Sequence, residues 1–292
     1  MIVLNVLLYY LVIIPVSLLP FPVIYGISNI LYFIFYYVTG YRKKVVLKNI
    51  RNSFPEKSEK EVQEICQKFY KHFCDLVVES IKTFTISEKQ VRKRFTVINP
   101  EVSDKYFMQN RSVLFAGGHY NNWELLAVGI DQYIKHKAVG IYTPLSNKYF
   151  DIKMQNTRGR FGLVMLSSKA VKRFLDANKN NLSGIIFGFD QSPSNPKSAY
   201  WMKFLNQDTG VQFGIEKFAK EYNYPVVYGT INKVKRGHYS LYLVDVADQP
   251  QETPYGYIIE KITHLLEKDI IKEPEYWLWT HKRWKHKKPE GV

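Results

Sequence analysis

Apolar and polar positions along this chain fall into three regimes. Residues 2–41 are dominated by Leu, Ile, Val, Phe and Tyr, and no Asp, Glu, Lys, Arg or His occurs before Arg42. Over 58–84 the apolar residues Val62, Ile65, Phe69, Phe73, Leu76, Val77 and Ile81 recur at helical spacing. Ser58 and Glu61 supply a capping box at the start, so a long amphipathic helix is predicted there, followed by a short one at 87–94. Apolar runs then alternate in kind. Strands are predicted at 112–116, 138–142, 163–166, 184–189, 225–232 and 239–246. Helices are predicted at 123–135, 147–158, 168–178, 211–222 and 255–272. Such alternation predicts an α/β fold with a largely parallel sheet flanked by helices. No repeat, low-complexity linker or composition shift follows Tyr41. The expected organisation is therefore an N-terminal membrane segment, 1–41, and one domain, 42–292, whose roughly 250 residues suffice for one core.

A membrane span needs about 20 apolar residues. Pro20-Phe21-Pro22 divides the leader into halves that are each a little short of this. The pattern fits one tilted helix with an interfacial partner, or two short ones. It has neither a positive leading region nor a small-residue cleavage site, so the expectation is an anchor and not a cleaved signal. Arg42, Lys43, Lys44, Lys48 and Arg51 follow at once. By the positive-inside rule they place the rest of the chain in the cytoplasm. The net charge of +15 is carried wholly after Tyr41. A second basic cluster closes the chain: His281, Lys282, Arg283, Lys285, His286, Lys287 and Lys288, interleaved with Trp277, Trp279 and Trp284. Such a mixture suits an anionic membrane surface, an acidic protein or nucleic acid, and the uncharged leader favours the lipid surface over the other two. Two Cys in the whole chain, Cys66 and Cys74, exclude a disulfide scaffold and a multi-Cys metal site.

Candidate chemistry concentrates at Gly117-Gly118-His119-Tyr120-Asn121-Asn122-Trp123-Glu124. A double Gly at the end of a predicted strand, with a helix opening at Trp123, is where α/β folds build their sites. Asn121 or Asn122 is the expected N-cap. An imidazole held by a carboxylate takes protons from alcohols. With no Ser or Cys nucleophile nearby, His119 and Glu124 read as a general base and its partner. No metal is expected, because the helical zinc motif needs a second His four residues away. Arg158-Gly159-Arg160 is a candidate clamp for phosphate or carboxylate, or else a basic helix end beside the negative dipole pole. Asp190-Gln191-Ser192-Pro193 ends a predicted strand, which brings Asp190 to the sheet edge that carries His119, either for chemistry or as a loop cap.

These residues together carry a resemblance. Gly118-His-Tyr-Asn-Asn-Trp-Glu124 resembles the Gly-His-Phe-Gly-Asn-Trp-Glu block of the bacterial lipid A biosynthesis (late) acyltransferases, in the lysophospholipid acyltransferase superfamily. Asp190-Gln191 is similar to that family's Asp-Gln-Asp segment, and 273–285 to its closing Trp-rich basic block. The membrane leader, basic stretch and Asn52-Ser53-Phe54-Pro55 also fit. The resemblance implies a glycerolipid acyltransferase-like fold and transfer of an acyl chain from an acyl carrier protein thioester, or less often acyl-CoA, to a hydroxyl of a lipid acceptor. That acceptor is a lipid A precursor or, alternatively, a lysophospholipid or aminolipid. The resemblance makes His119 the base and Glu124 its orienting partner. Asn122, Trp123, Arg158, Arg160, Asp190 and Gln191 then shape the substrate site, with no cofactor or acyl-enzyme. Ser192 departs from a common second Asp, and Val211-Gln212-Phe213-Gly214 from a Thr-rich run. Both departures bear on acceptor and chain length.

Overall fold

The computed structural model describes residues 2–291. The apolar leader forms two helical runs that break before Phe21. In the first, α1 (Ile2–Leu8) and α2 (Ile14–Leu18) are joined by a π-turn. In the second, α3 (Phe21–Phe33) runs into another π-turn at Ile34–Val38. Phe21–Val38 is by length and composition able to cross a membrane. Next come α4 (Lys43–Ser53) and α5 (Glu59–Lys82), the latter opened by the expected reciprocal Ser58–Glu61 box, then α6 (Glu88–Arg94), capped in the same way by Ser87 and Gln90. The remaining helices are α7 (Glu101–Met108), α8 (Trp123–Gly129), α9 (Lys148–Arg158), α10 (Val171–Ala177), α11 (Gly214–Tyr222) and α12 (Tyr257–Lys272).

Seven strands form the main sheet: β1 (Phe95–Val97), β2 (Val113–Gly117), β3 (Lys137–Tyr142), β4 (Val164–Ser167), β5 (Ser183–Gly188), β8 (Val226–Lys235) and β9 (His238–Ala247). β6 (Tyr200–Phe204) and β7 (Gln207–Val211) make a separate hairpin. The sheet order is β1-β9-β8-β2-β5-β3-β4, and every pair is parallel except β8–β9. This is the expected α/β fold. Alternation along β2 shows why helices cover both faces. Val113 and Phe115 pack with Leu125 and Val128 of α8, whereas Leu114 and Ala116 pack in the layer that holds α4, α12 and Trp277.

Besides α4, which falls in the basic stretch where the pattern predicts no element, three elements escaped the pattern reading, and each for a reason. β1 is only three residues long. α7 buries just Ser103 and Tyr106, so it lacks an apolar stripe. The β6–β7 hairpin turns on Leu205 and Asn206, both at positive φ (49° and 63°), where Asn-Gly would have been the readable signal. Its second strand also takes the start of the helix expected from 211.

The Trp-rich tail does not lie on the surface as expected. Trp277 and Trp279 are buried edge-to-face at 4.7 Å, and Trp284 donates to Thr209 Oγ1 at 2.7 Å. Arg283 is buried too and donates to the Gly210 carbonyl at 2.8 Å. The segment just after the leader helps to close this region, because Arg42 donates to the Thr280 carbonyl and Asn49 to those of Trp279 and His281. Lys282, Lys285, Lys287 and Lys288 keep the basic character of the tail. Indole area that can be covered by the domain's own core is withdrawn from water there, and composition alone cannot tell that from burial in lipid.

Candidate active site

β2 and β5 are neighbours in parallel register, with Gly117 opposite Gly188. His119 and Asp190 each stand two residues beyond that pair, so the sheet delivers both to one edge. Gly188 leaves room for the ring, since a Cβ there would come within 3.2 Å of His119 Cε1. His119 Nδ1 then lies 2.6 Å from Asp190 Oδ1. A carboxylate only accepts, so Nδ1 carries the proton and Nε2 presents its lone pair. Gln191 Nε2 donates to that lone pair at 3.2 Å. The other carboxylate oxygen, Oδ2, accepts from the His119 backbone N–H at 2.8 Å and from Trp277 Nε1–H at 2.8 Å.

Electrostatics follow from this geometry. Burial by itself would push the Asp190 pKa up, but the imidazole charge and the hydrogen bonds from His119 and Trp277 overcome it and hold the carboxyl at about 2. For His119 burial pulls downward. Asp190, through charge and hydrogen bond, and the more distant Glu124 outweigh that and raise the imidazole above its ordinary value.

Glu124, the partner expected to orient the imidazole, is engaged elsewhere. Its carboxylate is held by Arg158, with Nε to Oε2 at 2.9 Å and Nη2 to Oε1 at 2.6 Å, and Trp123 Nε1 donates to it at 3.2 Å. A guanidinium matches a carboxylate with two parallel N–H bonds, which an imidazole cannot do. Asn122, expected to line the substrate site, is buried away from it. Its Oδ1 caps α8 by accepting the Leu125 N–H at 2.8 Å. Arg160, the other expected clamp residue, donates to the Phe84 and Ile86 carbonyls and secures the loop between α5 and α6.

His119, Trp123, Arg158 and Gln191 do share a cavity of about 590 Å³. Much of its lining is apolar, made by Leu126, Ala127, Ile141, Leu163, Met165, Ile186 and Ile231, with Gly140 and Gly229 also in the wall. Tyr142, Asp151, Gln155 and Gln212 also line it, and the pattern reading singles out none of these as site residues. Trp277 is a further residue it misses as a site element. Its only signal is the specificity of the closing block, since more than 150 residues and several crossings separate it from His119. Among the described residues no three His, Cys, Asp or Glu side chains group as a metal site.

The arrangement thus joins an imidazole held by a carboxylate, a guanidinium ion-paired to Glu124 and a largely apolar cavity. Comparison with known proteins identifies the family. Over 258 residues the chain is 24% identical to the lipid A biosynthesis palmitoleoyltransferase of Escherichia coli K12, covering 84% of this chain and 79% of that one. It is 24% identical over 277 residues to the lipid A biosynthesis lauroyltransferase of the same organism (94% and 89% covered), and 22% identical over 281 residues to a lipid A biosynthesis acyltransferase of Haemophilus influenzae (93% and 87%). Residues 2–286 match the family model of the bacterial lipid A biosynthesis acyltransferases, and the chain belongs to that family of acyltransferases.

Proposed function

We propose that this acyltransferase moves a fatty acyl chain from an acyl carrier protein thioester to a hydroxyl of a lipid A precursor, with His119 as general base and Asp190 as the carboxylate that orients it. The observation that carries this reading is that His119, paired with Asp190, lines a largely apolar cavity. Nε2 takes the acceptor's hydroxyl proton as that oxygen attacks the thioester carbonyl. The tetrahedral intermediate collapses with cleavage of the C–S bond, and the imidazolium returns its proton to the departing thiolate. Asp190 fixes the tautomer and stabilises the imidazolium, as the third member of a triad does. Arg158, locked by Glu124, supplies positive charge beside the developing oxyanion, and Trp123 and Gln191 border the reacting groups. The apolar wall accepts the acyl chain. Leu, Ile and Met around a methylene chain withdraw it from water at about 0.8 kcal/mol per CH₂.

The exposed apolar faces of α1 to α3, with Leu4, Leu11, Ile30 and Phe33 among them, support attachment of residues 1–41 to the inner membrane. The basic residues that follow support a cytoplasmic position for 42–292. Acyl carrier proteins are acidic, and the net charge of +15 favours their encounter with this enzyme. The test is transfer by purified protein from an acyl carrier protein thioester, against acyl-CoA, to a panel of lipid A precursors, lysophospholipids and aminolipids. Transfer to the last two classes with none to a lipid A precursor refutes the acceptor. Equal use of acyl-CoA refutes the donor.

A further inference from the structure

Behind the His119 turn lies a carboxyl group that the proposed chemistry does not use. Glu79, in the last turns of α5, is 1% exposed and accepts hydrogen bonds from three separate parts of the fold. Tyr25 Oη of α3 donates to Oε1 at 2.8 Å. Asn122 Nδ2 at 2.6 Å and Tyr239 Oη of β9 at 2.8 Å both donate to Oε2. Committing Asn122 Nδ2 to Glu79 decides which way the amide faces, and so turns Oδ1 onto the Leu125 N–H as the cap of α8. The rest of the turn is tied at several other points. The His119 carbonyl accepts from the Leu278 N–H, the Asn121 N–H donates to the Tyr276 carbonyl, and Asn121 sits left-handed (φ 55°) with its side chain bonded to the Ile231 carbonyl. Glu79 adds a further tie, at the Asn122 amide.

Tyr25 belongs to the apolar leader, whose inner face is bonded to the domain along its length. Ser28 donates to Asp75 at 2.7 Å, Arg236 to Asn29 at 3.0 Å, and the buried Lys82 to the Ser17 carbonyl at 2.7 Å. The outer face of the same helix exposes Val23, Ile30 and Phe33. One helix therefore presents apolar side chains outward and, through Tyr25, Glu79 and Asn122, reaches the N-cap of the catalytic turn.

We propose that Glu79 is a positioning residue that links the seating of α3 to the His119 turn through Tyr25 and Asn122, so that full turnover requires the apolar helix to be docked on α5. The proposal rests on His119 being the base. A misplacement of about 1 Å at a reacting group costs on the order of 10²-fold in rate, and a turn freed at its cap permits a shift of that size.

The experiment compares kcat, donor KM and melting temperature of full-length Glu79→Gln, Tyr25→Phe, the double variant and His119→Ala in one detergent. Glu79→Gln should lower kcat by on the order of 10²-fold with donor KM unchanged. Tyr25→Phe, which removes one oxygen outside the cavity, should lower kcat in the same way by about tenfold. The double variant should be no slower than Glu79→Gln alone, because both act through one link. A lower melting temperature with kcat within about twofold of wild type in Tyr25→Phe means a merely structural contact and overturns the proposal. If Glu79→Gln does not fold, Tyr25→Phe decides alone. An inactive His119→Ala beside a fully active Tyr25→Phe sinks the coupling only, whereas an active His119→Ala sinks the base and the coupling together.

Discussion

Replacing Asp190 by Asn tests the reading of the site most sharply, because the two side chains have the same shape and differ in what they donate. Asp190 accepts three hydrogen bonds: at Oδ1 from His119 Nδ1, and at Oδ2 from the His119 backbone N–H and Trp277 Nε1. Asn has one oxygen and one NH₂. Two fixed donors claim the Oδ2 position, so the oxygen of Asn must stay there and the NH₂ must face His119 Nδ1. That nitrogen can then only accept, the ring proton moves to Nε2, and the lone pair that should take the acceptor's proton is gone. The two bonds at the Oδ2 position survive, so the fold should too. In the Ser-His-Asp triad of serine proteases the same exchange of Asp for Asn produces the wrong tautomer, and kcat drops about 10⁴-fold. The same factor is expected here and corresponds to about 5.4 kcal/mol in the barrier. The assay is acyl transfer at saturating donor, with melting temperature and donor KM measured alongside. Glu124→Gln is the matched control. It weakens the bidentate bond to Arg158 but leaves the His119 tautomer untouched, so its loss should be smaller. Asp190→Asn within about tenfold of wild type, with Glu124→Gln down about 10⁴-fold, would refute the reasoning and return the orienting role to Glu124.

Other expectations follow from the same geometry. As the proposed base, His119 works only as neutral imidazole, and Asp190 and Glu124 raise its pKa against the opposing effects of burial and Arg158. Activity should therefore fall as pH drops through a midpoint above the usual imidazole value of about 6.5, and a kcat/KM profile with that limb below it contradicts the assignment. By linkage, this group's contribution to stability is complete below about 6.5 and is lost as pH rises through the folded-state pKa, which denaturant midpoints against pH would detect. Trp277→Phe keeps the buried ring but removes the N–H that Asp190 accepts, so kcat should fall about tenfold with little loss of stability, and an unchanged rate refutes a role for the indole. Ala127→Phe fills the apolar wall of the cavity. A donor left two methylenes too long loses about 1.6 kcal/mol, or about 15-fold in kcat/KM, relative to a shorter one. An unaltered chain-length preference across a donor series places the acyl chain elsewhere.

The local pattern carried a great deal. An uncharged leader broken at Pro20-Phe21-Pro22, a helix capped at Ser58 and alternating apolar runs all depend on neighbours within a few residues, and all stand in the structure with small shifts in their ends. The Gly-Gly-His turn was equally legible, since two glycines before a His at a strand end is a local signal. Pairing was not. Which carboxylate meets His119 depends on β5 lying beside β2 with Gly117 opposite Gly188, a consequence of strand order that no spacing along the chain encodes. Glu124, five residues away, looked the natural partner, yet Arg158 from α9 offers it a better hydrogen-bond fork and takes it. Burial was not legible either. The tail's tryptophans and Arg283 have the composition of a membrane-facing surface, but they fill the core because β6, β7 and the closing segment meet there. Glu79 shows the limit most clearly. On its own helix it is one acid among several, and only the arrival of Tyr25, Asn122 and Tyr239 from three distant segments makes it a junction. Short-range periodicity and capping are properties of the chain, whereas hydrogen-bond partnership between buried polar groups is decided by whichever donors the tertiary fold brings within about 3 Å.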